Sequence, residues 1–457
     1  MIEYREVLKG LTHTEVQENN KIVFLPSGAQ SYEYRWRLLS DAKFSIHIAT
    51  FSMMDDETTD KLESILHKKL KEGVKVKIIL DDIVNRTTFV GKRIDRLAES
   101  GALIHQYNGL FDEWFPLPKR HPFKHIVRIA KLKLKRHYHE KYMIVDGADL
   151  ILGGINWGDK YAYGGIKSFA WRDTDVYLKG AVVGDVQMQF LKDFTRYNAW
   201  NNRDESQPDL YTDFVKVSHS PSDAYIREKY SQDFFPPKKE GSVSIQYIAH
   251  KPYDDNELVL TNVFLSLIKN AKKSIYWGCH GIRPPRIIGE YLADAVSRGV
   301  DVYLITNSKE SAKSLMVKGL LGWMYNECTK HYGWLLKRGI KIYEWQLEGA
   351  FHSKNFLVDE ELASIGSYNI ARGSTYHHSE SNILVYDKEF AKEVKEQFEI
   401  DFEDCKEILF EETASSLPME DAFERPLHER DLMINPKFIL PHMREELNKK
   451  TYTRILT

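Results

Sequence analysis

The feature that most restricts this chain is a pattern written twice. "HEKYMIVDGADLILGGIN", beginning at His139, and "HSKNFLVDEELASIGSYN", beginning at His352, match position by position. His139, Lys141, Asp146, Gly153, Gly154 and Asn156 correspond to His352, Lys354, Asp359, Gly366, Ser367 and Asn369. One histidine on a strand means little, since most such residues are satisfied core or surface groups. Repetition of the same charged positions is different: a purely structural duplication retains apolar positions and has no reason to retain charged ones.

The flanks repeat as well. "DAKFSIHIATFSM", an amphipathic stretch from Thr59 to Glu72 and "GVKVKIILDD" stand before the first copy. "NAKKSIYWGCHG", a helical stretch near Ile287 to Arg298 and "GVDVYLITNS" stand before the second. Both read strand, helix, glycine, strand. "LAESGALIHQYN" and "LLKRGIKIYEW" then stop a helix at Gly101 or Gly339 and begin an alternating strand. Each half is therefore a βαβ-type unit leading into its motif, which predicts an α/β fold made by duplication. We expect a first domain over 1–205, a polar, Pro-containing linker over 206–241, a second domain over 242–405 and an extension over 406–457 without identifiable chemistry.

Within each copy, "HEKYMIVD" and "HSKNFLVD" read as strands. Residues two apart share a face, so His139 points with Lys141 and His352 with Lys354. Asp146 and Asp359 fall at the turn after the strand, a favoured place for aspartate, and as members of the repeated motif they are grouped with the catalytic candidates. A further strand, "LILGG" or "LASIGS", delivers Asn156 or Asn369 through small residues, including Gly154 and Ser367, that let backbone approach a ligand.

Such a set suits a phosphodiester. That anion resists nucleophiles, so its site needs positive donors on the non-bridging oxygens, a nucleophile, and an acid for the departing alkoxide. Lys141 and Lys354 supply charge, Asn156 and Asn369 amide donors, and the two histidines the remaining roles. Nothing in this set requires a metal or other cofactor, and neither motif has the carboxylate or Cys/His spacing of a catalytic metal site.

The doubled signature resembles that of the phospholipase D superfamily over roughly residues 20 to 405. It is most like the bacterial cardiolipin synthase and phosphatidyltransferase branch, through "WRDTDVYLKGAVVGDVQMQF" after the first motif. The resemblance implies two α/β/α domains, each a mixed sheet flanked by helices, packed pseudo-symmetrically with the active site at their interface. It implies a covalent phosphohistidine, with His139 as nucleophile and His352 as acid and base, although the near symmetry of the copies leaves the reverse assignment open. It also points to an acidic residue beyond each motif to hold an imidazole: Glu380 in "HHSESN", and Asp173, with Asp175 as the alternative of the same strand parity. The chain departs from the branch at Ala371 and His378, where Asp and Asn are usual.

Composition bounds the partners. Lys+Arg (64) and Asp+Glu (66) nearly cancel, which disfavours a protein that coats nucleic acid by global charge. Three scattered cysteines suggest neither a disulfide framework nor a zinc site. No apolar leader and no long apolar run occurs, so we expect a cytoplasmic protein with at most peripheral membrane contact. The first half alone carries an insertion over 111–137, in which "KRHPFKHIVRIAKLKLKR" mixes eight Lys/Arg with apolar residues and no acid. It reads as a basic amphipathic face for an anionic phospholipid surface, with Lys131, Lys133, Lys135 and Arg136 as contacts. A segment packed on the core and a nucleic-acid path remain alternatives. Two functions compete: a phosphatidyltransferase or phospholipase D acting on glycerophospholipids, with an alcohol or water acceptor and no obligatory protein partner, and a phosphodiesterase acting on nucleic acid. Near-neutral charge favours lipid.

Overall fold

In a computed structural model, the structure describes residues 2–87, 91–108, 135–201, 220–233, 235, 238–311, 320–413, 434–441 and 443–444. The first half contributes β1 (Gln17–Leu25), β2 (Ser45–Thr50), β3 (Lys75–Asp81), β4 (Leu103–Tyr107), β5 (Tyr142–Val145), β6 (Asp149–Gly153) and β7 (Asp175–Gly180). The second contributes β8 (Val243–His250), β9 (Ser274–Gly278), β10 (Asp301–Asn307), β11 (Lys341–Trp345), β12 (Phe356–Val358), β13 (Leu362–Gly366), β14 (Glu380–Tyr386) and β15 (Cys405–Ile408).

These strands form one continuous sheet in the order β15-β11-β10-β9-β12-β13-β14-β8-β1-β7-β6-β5-β2-β3-β4. Read outward from the β8–β1 seam, the two halves list equivalent strands in the same sequence. The seam is antiparallel, with Gln17 opposite Ile245 and Asn20 opposite Val243. The duplicated mixed sheets are therefore joined edge to edge, which also removes one exposed edge from each half.

The βαβ reading holds in both halves. The helix Glu57–Lys71 starts at a reciprocal cap between Asp56 and Thr59, and β2 and β3 run parallel. Its counterpart, Arg286–Ser297, links parallel β9 and β10. Gly101 and Gly339 take φ of +100° and +80° just before β4 and β11, as a helix stop requires.

Helices cover both faces. On one, Val182–Asn201 and Lys388–Glu403 share a core drawn from both halves, including Phe190, Phe194, Phe390 and Phe398. On the other, each half packs its own helices: Leu39 and Leu66 in the first, Phe264 and Leu292 in the second. The expected linker is partly structured: the helix Asp223–Lys229 lies within it and buries Ile226 in the shared core. The C-terminal extension also packs, through β15 on β11 and through Ile434, Phe438 and Met443 in the second half's core. Among the described residues no helix is long and apolar enough to cross a membrane. The three cysteines are free.

Candidate active site

The two motifs meet at the ends of parallel β2, β3, β9 and β10. The predicted strands are shorter than their motifs, since β5 begins at Tyr142 and β12 at Phe356. The histidines sit in the extended lead-ins, and each lead-in pairs with the opposite half. Tyr138 bridges Ser379, and Phe351 bridges Arg172. The His139 amide donates to the Ser379 carbonyl at 2.9 Å, and the His352 amide to the Arg172 carbonyl at 2.7 Å. Ser379 precedes Glu380 and Arg172 precedes Asp173, so each bridge sets a histidine beside the other half's carboxylate.

The side chains follow. His139 Nδ1 lies 2.8 Å from Glu380 Oε2, and His352 Nδ1 lies 2.5 Å from Asp173 Oδ2. The holding acids are crossed between halves, and neither half alone orients its own histidine. With Nδ1 engaged, Nε2 is the nitrogen each ring has available for chemistry. Asp175, the alternative holder, is used elsewhere: buried, it pairs with Arg35 Nη2 at 2.8 Å and accepts from Ser31.

Gly154 and Ser367 solve one problem in two ways. A Cβ on Gly154 would lie 2.1 Å from Asp173 Oδ1, so only glycine admits that carboxylate. At the equivalent place Ser367 Oγ donates to Glu380 Oε2 at 2.5 Å, and Ser374 Oγ donates to the other oxygen.

Burial raises both acids to about 7 from the usual carboxylate range, against the pull of Lys354 on Asp173 and of Lys141 on Glu380. Burial, followed by the nearby lysines, holds both imidazoles well below the ordinary histidine value. His139 feels Lys354 and His352 feels Lys141, so the half-sites share one field. Burial also lowers Lys141 to about 7 and pushes Lys354 down. An anionic phosphate diester bound beside them would favour the charged form of both lysines.

Lys141 Nζ donates to the His139 carbonyl and Lys354 Nζ to the His352 carbonyl, which ties each cation to its lead-in. Asn156 Oδ1 accepts from the Ser52 amide at 3.2 Å while Nδ2 donates one hydrogen to Tyr161. Asn369 Oδ1 accepts from Cys279 Sγ at 3.5 Å.

Two assignments need correction. Asp146 and Asp359, grouped with the catalytic residues, do not reach the cavity. Asp146 lies at the far end of β5, roughly 20 Å from His139 at about 3.3 Å per residue. Its carboxylate accepts from the backbone of Lys43, Phe44 and Ser45, and that of Asp359 from Lys272, Lys273 and Ser274. Both take positive φ, 53° and 54°, and brace the entry to β2 and β9. Arg136 is not a membrane contact either. It is 5% exposed and pairs with Asp254 of the second half and with Tyr107. Lys135 is exposed. Lys131 and Lys133 lie outside the described residues.

Sequence reasoning missed most of the walls and named His378 only as a departure from the family pattern. His139 is flanked by Phe51, centroids 4.7 Å apart, and by His378 at 5.6 Å. His352 is flanked by His280 at 5.0 Å and Trp171 at 5.1 Å. Aligning "SIHIATF" with "SIYWGCH" pairs Phe51 with His280, and counting back two from each acid pairs Trp171 with His378. The repeat could have revealed them. His139, His378 and Glu380 bring three ligand atoms within 4.8 Å. Glu380 is already engaged by His139, Ser367 and Ser374, and Lys141 stands beside it, so the cluster suits an oriented imidazole better than a cation.

The family described as cardiolipin synthase, PLD-like domain matches residues 36–165 and 264–402, together more than half of the chain. The chain is 27% identical over 432 residues to cardiolipin synthase 1 of Staphylococcus epidermidis, covering 93% of this chain and 77% of that protein. It is 29% identical over 404 residues to a major cardiolipin synthase of Bacillus subtilis, covering 88% and 72%. A solved phosphatidylserine synthase from Haemophilus influenzae Rd KW20 has a TM-score of 0.63 at 15% identity, over 89% of this chain and 92% of that one, a likeness of fold.

Proposed function

The chain belongs to the cardiolipin synthase, PLD-like domain family, and on that premise we propose that it is a phosphatidyltransferase acting on glycerophospholipid phosphodiesters, cardiolipin synthase-like in its reaction. The observation that carries this reading is the crossed pair of imidazoles, His139 on Glu380 and His352 on Asp173, beside Lys141 and Lys354. His139 Nε2 attacks phosphorus, and the bond from phosphorus to the leaving oxygen breaks as His352 Nε2–H protonates that oxygen. The phosphatidyl group then rests on His139 as a phosphohistidine. An acceptor hydroxyl loses its proton to His352, its oxygen attacks phosphorus, and the P–N bond breaks.

Lys141, Lys354, Asn156 and Asn369 hold the non-bridging oxygens and stabilise the charge that builds on them. Neutral imidazoles, favoured by burial, suit the nucleophile. The anionic diester then draws protons onto its surroundings, which suits the acid. The protein acts peripherally at an anionic phospholipid surface. Incubation with labelled phosphatidylglycerol vesicles, and separately with single-stranded DNA, tests the reading. Transfer of phosphatidyl label to a second lipid supports it. DNA cleavage without lipid turnover replaces it with the nuclease reading.

A further inference from the structure

Resting on that phosphatidyltransferase reading, we propose that an exposed apolar ridge formed by residues 163–170 and 346–349 inserts into a phospholipid bilayer and seats the mouth of the site on it. The described residues expose eight large hydrophobics, and three of them, Ile166 at 68%, Phe169 at 42% and Leu347 at 46%, lie on these two loops. The loops touch across the halves. Ser168 Oγ donates to Glu348 Oε2 at 2.8 Å, and the Gly349 backbone is so close to Ala170 that a Cβ would lie 1.8 Å from its carbonyl oxygen. Immediately downstream, Arg172 N donates to Ala350 O at 2.9 Å, in the bridge that leads to Asp173 and His352. The ridge is thus fixed to the reacting groups by a few residues of paired backbone.

Other exposed hydrophobics lie elsewhere. Phe44 precedes β2 and Leu103 opens β4, at the strand ends opposite the site. The flanks of the ridge are those of an interfacial element. Exposed Lys167 places Nζ 3.8 Å over the half-buried Tyr163 ring, and behind the ridge Trp171 is buried and walls His352. A lysine over a partly exposed aromatic ring presents an apolar body and a polar tip, as the headgroup layer requires. A bilayer is the fitting occupant for a further reason of size. Three side chains cover roughly a few hundred Å², short of the ~1,200 Å² of a stable protein interface, yet adequate for shallow insertion. A two-chain lipid can offer its phosphate to His139 only if the mouth lies at headgroup level.

The test uses the full chain, flotation with phosphatidylglycerol vesicles, and turnover of both those vesicles and a monomeric dihexanoyl phosphatidylglycerol. The triple variant Ile166→Ser, Phe169→Ser, Leu347→Ser should bind vesicles about a hundredfold more weakly, from roughly tenfold or less per exposed side chain. It should turn over vesicles slowly and the monomeric lipid at the wild-type rate. Ile166→Trp should bind vesicles more tightly, which keeps the inference testable if the triple variant does not fold. Unchanged vesicle binding by the triple variant overturns the inference, as does equal loss on the monomeric lipid or an Ile166→Trp protein that binds no better. If wild type binds vesicles through the ridge yet turns over neither lipid, the enzymatic reading fails and the ridge stands.

Discussion

Replacing Glu380 by Gln should slow the enzyme and stabilise the protein. The fully buried carboxylate accepts from His139 Nδ1, Ser367 and Ser374. Burial raises it to about 7 from its ordinary 4.5. The native state therefore binds more protons than the unfolded chain between about pH 4.5 and 7, and stability falls as pH rises across that window. At about 1.4 kcal/mol per unit the cost above pH 7 reaches ~3 kcal/mol. The attraction of Lys141 is already contained in that shift, and hydrogen bonds that an amide cannot all accept offset part of the cost, which leaves a net gain of about 1–3 kcal/mol for the variant above pH 7 and none below about 4.5. Activity moves the other way. An amide no longer selects the tautomer that frees Nε2, and loss of the equivalent orienter in serine proteases costs about 10⁴ in kcat. We expect a fall of roughly 10³ to 10⁴ here. Urea unfolding at pH 5 and pH 8 reads the first effect and lipid turnover the second. A variant within tenfold of wild-type activity, or one less stable at pH 8, would refute the crossed orientation.

Arg136→Met should cost about 3–5 kcal/mol, because it takes the guanidinium away from the buried Asp254 carboxylate between the halves; the urea midpoint measures it. Asp146→Ala should lower stability by about 1–2 kcal/mol, through the part-buried Ser45 amide that loses its acceptor and through an alanine held at positive φ, while kcat of the folded protein stays at the wild-type value. Binding of inorganic phosphate at pH 8 should take up protons, because an anion raises Lys141 from about 7, and affinity should fall as pH rises above that value. Calorimetry in two buffers of different protonation enthalpy detects the uptake.

Much of the site was legible because the chemistry is short-range in sequence. Each His-x-Lys pair lies on an extended segment two residues apart, which parity alone predicts, even though the strands begin only after it, and the copies align without gaps. Glu380, and Asp173 with Asp175 as its alternative, came from the family resemblance, but not the crossing, since which imidazole an acid meets depends on the Tyr138–Ser379 and Phe351–Arg172 bridges between halves. The single sheet was hidden for a related reason: β1 and β8 look like ordinary edge strands, and nothing local says that they pair. Asp146 was legible as a turn residue, and its motif membership misdirected the catalytic reading. Arg136 was misplaced because composition averages over a segment, whereas burial is decided residue by residue, here by Asp254 from 118 positions away.

The central claim is that His139 carries the phosphatidyl group while His352 moves protons. The direct measurement is to mix the protein with phosphatidylglycerol labelled in its phosphate, in EDTA, quench in alkaline detergent within a turnover, and locate the label by peptide mass spectrometry. The account predicts alkali-stable, acid-labile label on the His139 peptide, lost in His139→Ala. Label on the His352 peptide would reverse the roles. Turnover by a His139→Ala, His352→Ala protein at the wild-type rate, with no labelled histidine in either protein, would contradict the mechanism.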